Sequence, residues 1–162
     1  MVAAAPLSLH RAVVKPDWVD YNGHLNDAYY MVIFSQATDA FMDYIGMDDA
    51  ARRATKTSLF TLEGHINYLL EVKEGVEVEI RSRLVRHDAK RVQLYHEMFR
   101  PGENDPVAAA EFMLLHVDTT DGAKSAPFRP EIAAKLQEIQ VVQDALPPST
   151  YSSRTIGLKP KA

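Results

Sequence analysis

One segment constrains the fold of this chain more than any other. From Asn26 to Gly46, apolar residues recur every three or four positions. Tyr30, Ile33, Phe34, Ala37, Phe41, Tyr44 and Ile45 fall on one side of a helical wheel, and Asp27, Gln36, Asp39 and Asp43 fall largely off it. The spacing predicts a long amphipathic helix. Asn26 suits its N-cap, Asp27 suits the positive end of the helix dipole, and Gly46 suits its C-terminal stop. Such a helix has one broad apolar stripe, and something must cover it.

The rest of the sequence supplies the cover. After a polar stretch from Asp48 to Lys56, the period changes from 3.6 to two. Phe60, Leu62, Ile66, Tyr68 and Leu70 alternate with Thr61, Glu63, His65, Asn67 and Glu71. Val76 to Leu84 and Val92 to Phe99 alternate in the same way. Val107 to Val117 is apolar on both faces and reads as an interior strand. Turn formers separate these runs at Lys73-Glu74-Gly75, His87 to Lys90 and Pro101 to Pro106. A short strand, Leu7 to Val14, precedes the helix, and a short helix, Pro130 to Ile139, closes the order. The expected class is α+β, with an antiparallel curved sheet wrapped around one long central helix. Residues 1–140 form the expected domain and 141–162 a tail, poorly packed from Pro147 onward unless a partner subunit holds it. One sheet on one helix leaves edges uncovered, so a homo-oligomer paired through edge strands is expected.

With 162 residues, 46% hydrophobic and 25% charged, the chain is long and apolar enough for a packed core. Its net charge of −4 argues against a general nucleic-acid binder, though not against a local phosphate site. There is no cysteine, which removes disulfides, thiolate metal sites and a cysteine nucleophile. No apolar run reaches the roughly 18–20 residues that span a bilayer, and the start lacks a leader pattern. The expectation is a soluble cytoplasmic protein without membrane contact. His10, His96 and His116 show no ligand spacing and read as structural, so no metal is expected.

The chemistry concentrates just before the helix. Asp20, Asn22, His24, Asn26 and Asp27 fall within eight residues. A helix start offers free amide N–H groups that can hold an oxyanion. A carboxylate a few residues upstream is placed to attack a thioester carbonyl or to activate water beside it. The same residues also suit Asx turns at a helix entry, which require no catalysis.

Asp20-Tyr21-Asn22-Gly23-His24-Leu25-Asn26, followed by Ala28-Tyr29-Tyr30, resembles the signature of hot-dog thioesterases of the 4-hydroxybenzoyl-CoA thioesterase type. Ile66-Asn67-Tyr68-Leu69 continues the match, and it extends over roughly residues 7–137. The resemblance implies the hot-dog fold, a dimer or dimer of dimers, an acyl-CoA substrate and no cofactor. It implies that Asp20 is nucleophile or general base and that the backbone N–H near Asp27 polarises the carbonyl. Leu62-Glu63-Gly64-His65-Ile66-Asn67-Tyr68 makes the pattern most similar to the thioesterases of carnitine breakdown, which convert betainyl-CoA to glycine betaine and CoA.

The remaining candidates surround this motif. His24 could orient Asp20 or the water, and Asn22 or Asn26 could hold either. Trp18, Tyr21, Tyr30 and Tyr68 could cage a quaternary ammonium by cation–π attraction. Tyr30 and Tyr68 also fall on apolar faces, where packing explains them, which leaves the loop residues Trp18 and Tyr21 as the better cage candidates. Glu63 and His65 share a face and could form an acid–base pair or bind the cation, although the alternation turns them away from the helix; Gly64 could mark a bulge that re-aims one. Arg86, Lys90 and Arg91, with His87, cluster at one hairpin, where the resemblance implies CoA phosphates. Two other functions fit the fold. A hot-dog enoyl-CoA hydratase would also use Asp20 and His24, but its pattern has Asn-Pro before the histidine and one more residue in the spacing, where this chain has Asn22-Gly23-His24. A non-catalytic acyl-CoA-binding protein would use neither.

Overall fold

The computed structural model of the chain describes residues 4–158. The elements run β1 (Leu7–Val13), α1 (Asp27–Tyr44), α2 (Asp49–Thr55), β2 (Thr57–Tyr68), β3 (Glu77–His87), β4 (Arg91–Phe99), β5 (Ala108–Asp118), β6 (Lys124–Ser125) and α3 (Pro130–Gln143). The strands build one antiparallel sheet in the order β1-β3-β4-β5-β2, with β6 paired to the end of β5. α1 touches β1 and β2, the two outermost strands of that order, as well as β3, so the sheet curls around it. This is the expected α+β hot-dog architecture.

The helix forms where its stripe and caps predict. Asn26 caps it, its side chain accepting from the Ala28 amide at 3.0 Å. Ile33, Phe34, Ala37 and Phe41 are fully buried against Val78, Ile80, Leu84, Leu94 and Met98. Burial of each large side chain contributes about 1.5–3 kcal/mol before entropy is counted. His96 is buried among them. Its Nδ1 lies 2.8 Å from Ser82 Oγ and its Nε2 3.0 Å from Thr38 Oγ1. Burial, and secondarily His10, lowers its pKa to about 3, so it is a neutral core residue.

Several details differ from the sequence expectation. The polar stretch after α1 holds a helix, α2, capped by the Asp48 side chain on the Ala51 amide at 2.8 Å. It buries no residue, so it leaves no apolar period to detect. In β2 the register shifts between Thr61 and Glu63. This bulge reverses the alternation. Leu59 faces the core, Phe60 and Leu62 are exposed, and Gly64 pairs with the buried Phe112. Gly64 does not make the bulge. It is small because a Cβ there would lie 2.9 Å from the Phe112 ring.

α3 continues past 140 to Gln143, whose side chain is buried and accepts from the Leu84 amide at 2.7 Å. The segment beyond it lies on the outer face of the sheet instead of hanging free. The Arg83 guanidinium donates to Leu146 O at 3.2 Å, to Ser149 Oγ at 3.3 Å and to Pro147 O. Ser152 Oγ donates to Glu111 at 2.9 Å. Among the described residues, no helix is long and apolar enough to cross a membrane.

Candidate active site

The loop between β1 and α1 is held at both ends. Val14 and the Gly75–Val76 pair exchange backbone hydrogen bonds of 2.9 and 3.0 Å, and Leu25 donates to Val72 O at 2.7 Å. Between these anchors the chain forms a tight reversal. Asp20 N–H donates to His24 O at 2.8 Å, and Gly23 N–H donates to Asp20 O at 3.0 Å. Gly23 has φ +74°, a left-handed conformation that glycine adopts without strain. Tyr21 sits at the exposed tip of the reversal.

Asp20 serves this turn with one of its two carboxylate oxygens. Its Oδ1 accepts from Asn22 N–H at 2.8 Å and from His24 N–H at 3.3 Å. Its Oδ2 makes no hydrogen bond among the described residues. The Asx turn and the catalytic reading are therefore compatible: one oxygen fixes the side chain and the other remains available. Asn22 contributes through its amide, not its side chain.

At the helix mouth the Asp27 amide stands open. The Ala28 N–H is shared by the side chains of Asn26 (3.0 Å) and Asp27 (2.9 Å), and Tyr29 N–H donates to Asn26 O at 2.9 Å. Asp27 N–H, the first of the helix, has no intrahelical acceptor and donates to none of the described residues.

Aromatic rings wall the mouth. Tyr68 OH donates to Asp27 O at 3.2 Å, and Tyr30 OH donates to Leu70 O at 3.2 Å. The two rings meet edge to face with centroids 5.2 Å apart. Tyr30 is buried and Tyr68 is half exposed. Burial raises the pKa of both hydroxyls; Tyr68 and Glu71 add to the shift at Tyr30, and Asp27 adds to it at Tyr68. Both stay protonated donors at neutral pH. Trp18 stacks on Tyr29 at 5.7 Å and already carries the Lys15 ammonium 4.8 Å from its ring centroid. The ring best suited by sequence to cage a cation thus holds one from its own chain.

Sequence reasoning passed over Glu71. Its carboxylate lies 3.8 Å from His24 Nε2. The contact arises from the pairing of the loop with Val72 and Lys73, which no local pattern announces.

Other candidates are not brought here within one chain. Glu63 and His65 pair with Met113 and Glu111 and face outward, opposite to Gly64, Ile66 and Tyr68. They line a cavity of about 280 Å³ together with Gln93 and residues 153–155. Arg86, Lys90 and Arg91 lie at the β3–β4 hairpin, the end of the sheet opposite to the mouth. There Arg91 pairs with Asp88 at 2.6 Å, and Lys90 donates to Ser125 Oγ at 3.3 Å. Arg91, then the Lys90 amide, lower the Asp88 pKa to about 2. Arg86 makes no side-chain bond among the described residues, and it lines a cavity of about 270 Å³ with His87 and Arg91.

The sequence pattern of the thioesterase-like superfamily matches residues 14–136, which include the loop, the helix and the whole sheet from β2 to β5. The chain belongs to this superfamily. The sequence resemblance and the fold agree with it, and the chain is a thioester hydrolase. Among superfamily relatives, the betainyl-CoA thioesterase of Pseudomonas aeruginosa is 48% identical over 154 residues, covering 95% of this chain and 96% of that protein. The L-carnitine dehydrogenase/betainyl-CoA thioesterase of Rhizobium meliloti is 36% identical over 157 residues; the match covers 97% of this chain and 31% of that longer protein. A crystal structure of a proposed thioesterase from Pseudomonas putida KT2440 superposes with TM-score 0.83 at 44% identity, covering 96% of this chain and 98% of that one. A Staphylococcus aureus protein in complex with CoA shares the fold, with TM-score 0.85 at 22% identity over 98% of this chain and all of that one.

Proposed function

We propose that the chain hydrolyses betainyl-CoA to glycine betaine and CoA, with Asp20 as the catalytic carboxylate. The observation that carries this reading is the division of labour at Asp20: Oδ1 is tied to two amides while Oδ2 has no partner among the described residues, in the loop that leads into α1. Oδ2 either attacks the thioester carbon or takes a proton from the water that does. The Asp27 amide faces the oxygen on which negative charge develops. One such donor is worth roughly 10²–10³ in rate. The C–S bond then breaks, CoA leaves as the thiol, and water supplies the oxygen of the new carboxylate. His24, held in the same turn, assists it. The 48% identity to a betainyl-CoA thioesterase over nearly the full chain supports the acyl group.

The reading includes a dimer. β2 is a 12-residue edge strand whose Phe60 and Leu62 are exposed. Long apolar edges invite pairing. Antiparallel pairing of two β2 strands sets the start of one beside the end of the other. That brings the Asp20 mouth of one copy to the same end of the joined sheet as the Arg86–Arg91 hairpin of the second. A CoA ester then spans both, with its thioester at the mouth and its phosphates at the hairpin. The cytoplasmic location expected of the cysteine-free chain belongs to the same proposal.

The test separates chemistry from structure at one residue. Asp20→Asn retains an oxygen that can accept from Asn22 and His24 but lacks the charge. With betainyl-CoA and a thiol-reactive chromogen, kcat should fall roughly a thousandfold with unchanged circular dichroism. Full activity in Asp20→Asn would remove Asp20 from the mechanism.

A further inference from the structure

The mouth of the site is acidic, which is unfavourable for most acyl-CoA esters. The segment Asp17 to Tyr30 contains Asp17, Asp20 and Asp27 and neither lysine nor arginine. Glu71 adds a fourth carboxylate, with 68% of its side chain exposed, reached through His24. The nearby cations do not all balance these charges. Lys15 sits over the Trp18 ring, and Arg100 is bonded to Glu103 at 2.9 Å; Lys73, paired in backbone register with His24, remains. CoA is polyanionic, so these carboxylates repel it unless the acyl group brings positive charge of its own.

An aromatic surface stands among them. The Tyr68 ring is 51% exposed and is fixed at two points, by its hydroxyl on Asp27 O and by the edge-to-face contact with Tyr30. Tyr30 in turn is bonded to Leu70 O, immediately before Glu71. A fixed, half-open aromatic ring with a carboxylate-bearing residue at each end of its contact chain suits a quaternary ammonium. Such a cation cannot donate hydrogen bonds, and it is held by ring faces and by unpaired negative charge.

We infer that Glu71, acting with the Tyr68 ring and Asp27, makes the site select thioesters whose acyl group carries a fixed positive charge. This rests on the acyl-CoA thioesterase reading and adds the residues that set its specificity. The basic hairpin and the acidic mouth then match the two ends of one substrate, polyanionic at the nucleotide and cationic at the acyl group.

The experiment compares betainyl-CoA with 3,3-dimethylbutanoyl-CoA, in which a neutral quaternary carbon replaces the nitrogen. Shape is retained and charge is removed. The wild-type enzyme should prefer betainyl-CoA in kcat/KM, and Glu71→Gln should reduce the ratio of the two values about tenfold. Tyr68→Leu should reduce it as well, while Tyr68→Phe, which keeps the ring, should retain most of it. Circular dichroism and the elution volume of each variant establish that it is folded. A wild-type ratio near one, or a ratio that neither Glu71→Gln nor Tyr68→Leu changes, overturns the inference and leaves the thioesterase reading standing. Absence of Asp20-dependent hydrolysis of either ester overturns that reading and the inference together.

Discussion

The two ends of the sheet differ in charge and in construction. At the helix mouth, Asp17, Asp20, Asp27 and Glu71 gather around a loop clamped by backbone hydrogen bonds. At the β3–β4 hairpin, Arg86, Lys90 and Arg91 gather around a single Asp88. The acidic end is rigid because its carboxylate is itself part of the turn. The basic end partly neutralises itself, since Asp88 occupies Arg91, and Arg86 has no side-chain partner among the described residues. A site for a bipolar ligand that used both ends would not be continuous in one chain. A strand of about ten residues spans some 30 Å, and in the proposed dimer a second copy brings these ends together.

The largest expected effect tests that separation. A chain with Asp20→Asn and a chain with Arg86→Glu and Lys90→Glu should each be nearly inactive at substrate concentrations well below KM. Co-expressed, they should recover about a quarter of wild-type activity, because half of the dimers are mixed and one of their two sites is intact. No recovery would place the whole site in one chain and break the comparison. A smaller effect is expected from Arg86→Glu alone. KM for the CoA ester should rise about tenfold with kcat little changed, and the difference should shrink as salt is added. An equal loss in kcat would show that the hairpin acts on the chemistry.

The core between the two ends is expected to respond to pH. His96 has a folded pKa of about 3, against about 6.5 for an exposed histidine. Between these values the unfolded chain binds the proton and the folded chain does not, so acidification favours unfolding. Stability from this residue is complete above pH ~6.5 and falls by up to roughly 1.4 kcal/mol per pH unit below it. Urea melts at pH 7 and pH 5 should show the loss, and His96→Asn should reduce the difference. The smallest effect belongs to the outer face. Glu63→Gln should alter kcat/KM by no more than about twofold, as for a solvated strand residue. A large loss would bring the outer-face cavity into the reaction.

Much of this was legible in the chain. The α1 stripe, the Asn26 cap, the period-two runs of β3 and β4 and the apolar run of β5 each follow from local rules, and each is present. α2 was hidden because it buries nothing, and β6 because it has only two residues. The bulge at Leu62 misled the alternation, so Phe60 faces outward although its spacing matches Ile66. At the proposed site, the sequence placed Asp20 and Asp27 at the helix entry, and the family resemblance suggested roles for them. That the Asp27 amide is open could not be read there, because Asn26 and Asp27 both bond the Ala28 N–H instead.

The sequence by itself determined the long helix, the five main strands, the closing helix, their order and the chemical character of the loop, because period, caps and turn residues act over a few neighbours. Only the tertiary structure decided that Glu71 stands beside His24 and that Glu63 and His65 face away. Those outcomes depend on strand register and on pairing between residues some fifty positions apart. A shift of one residue in such pairing turns a side chain to the other face of the sheet.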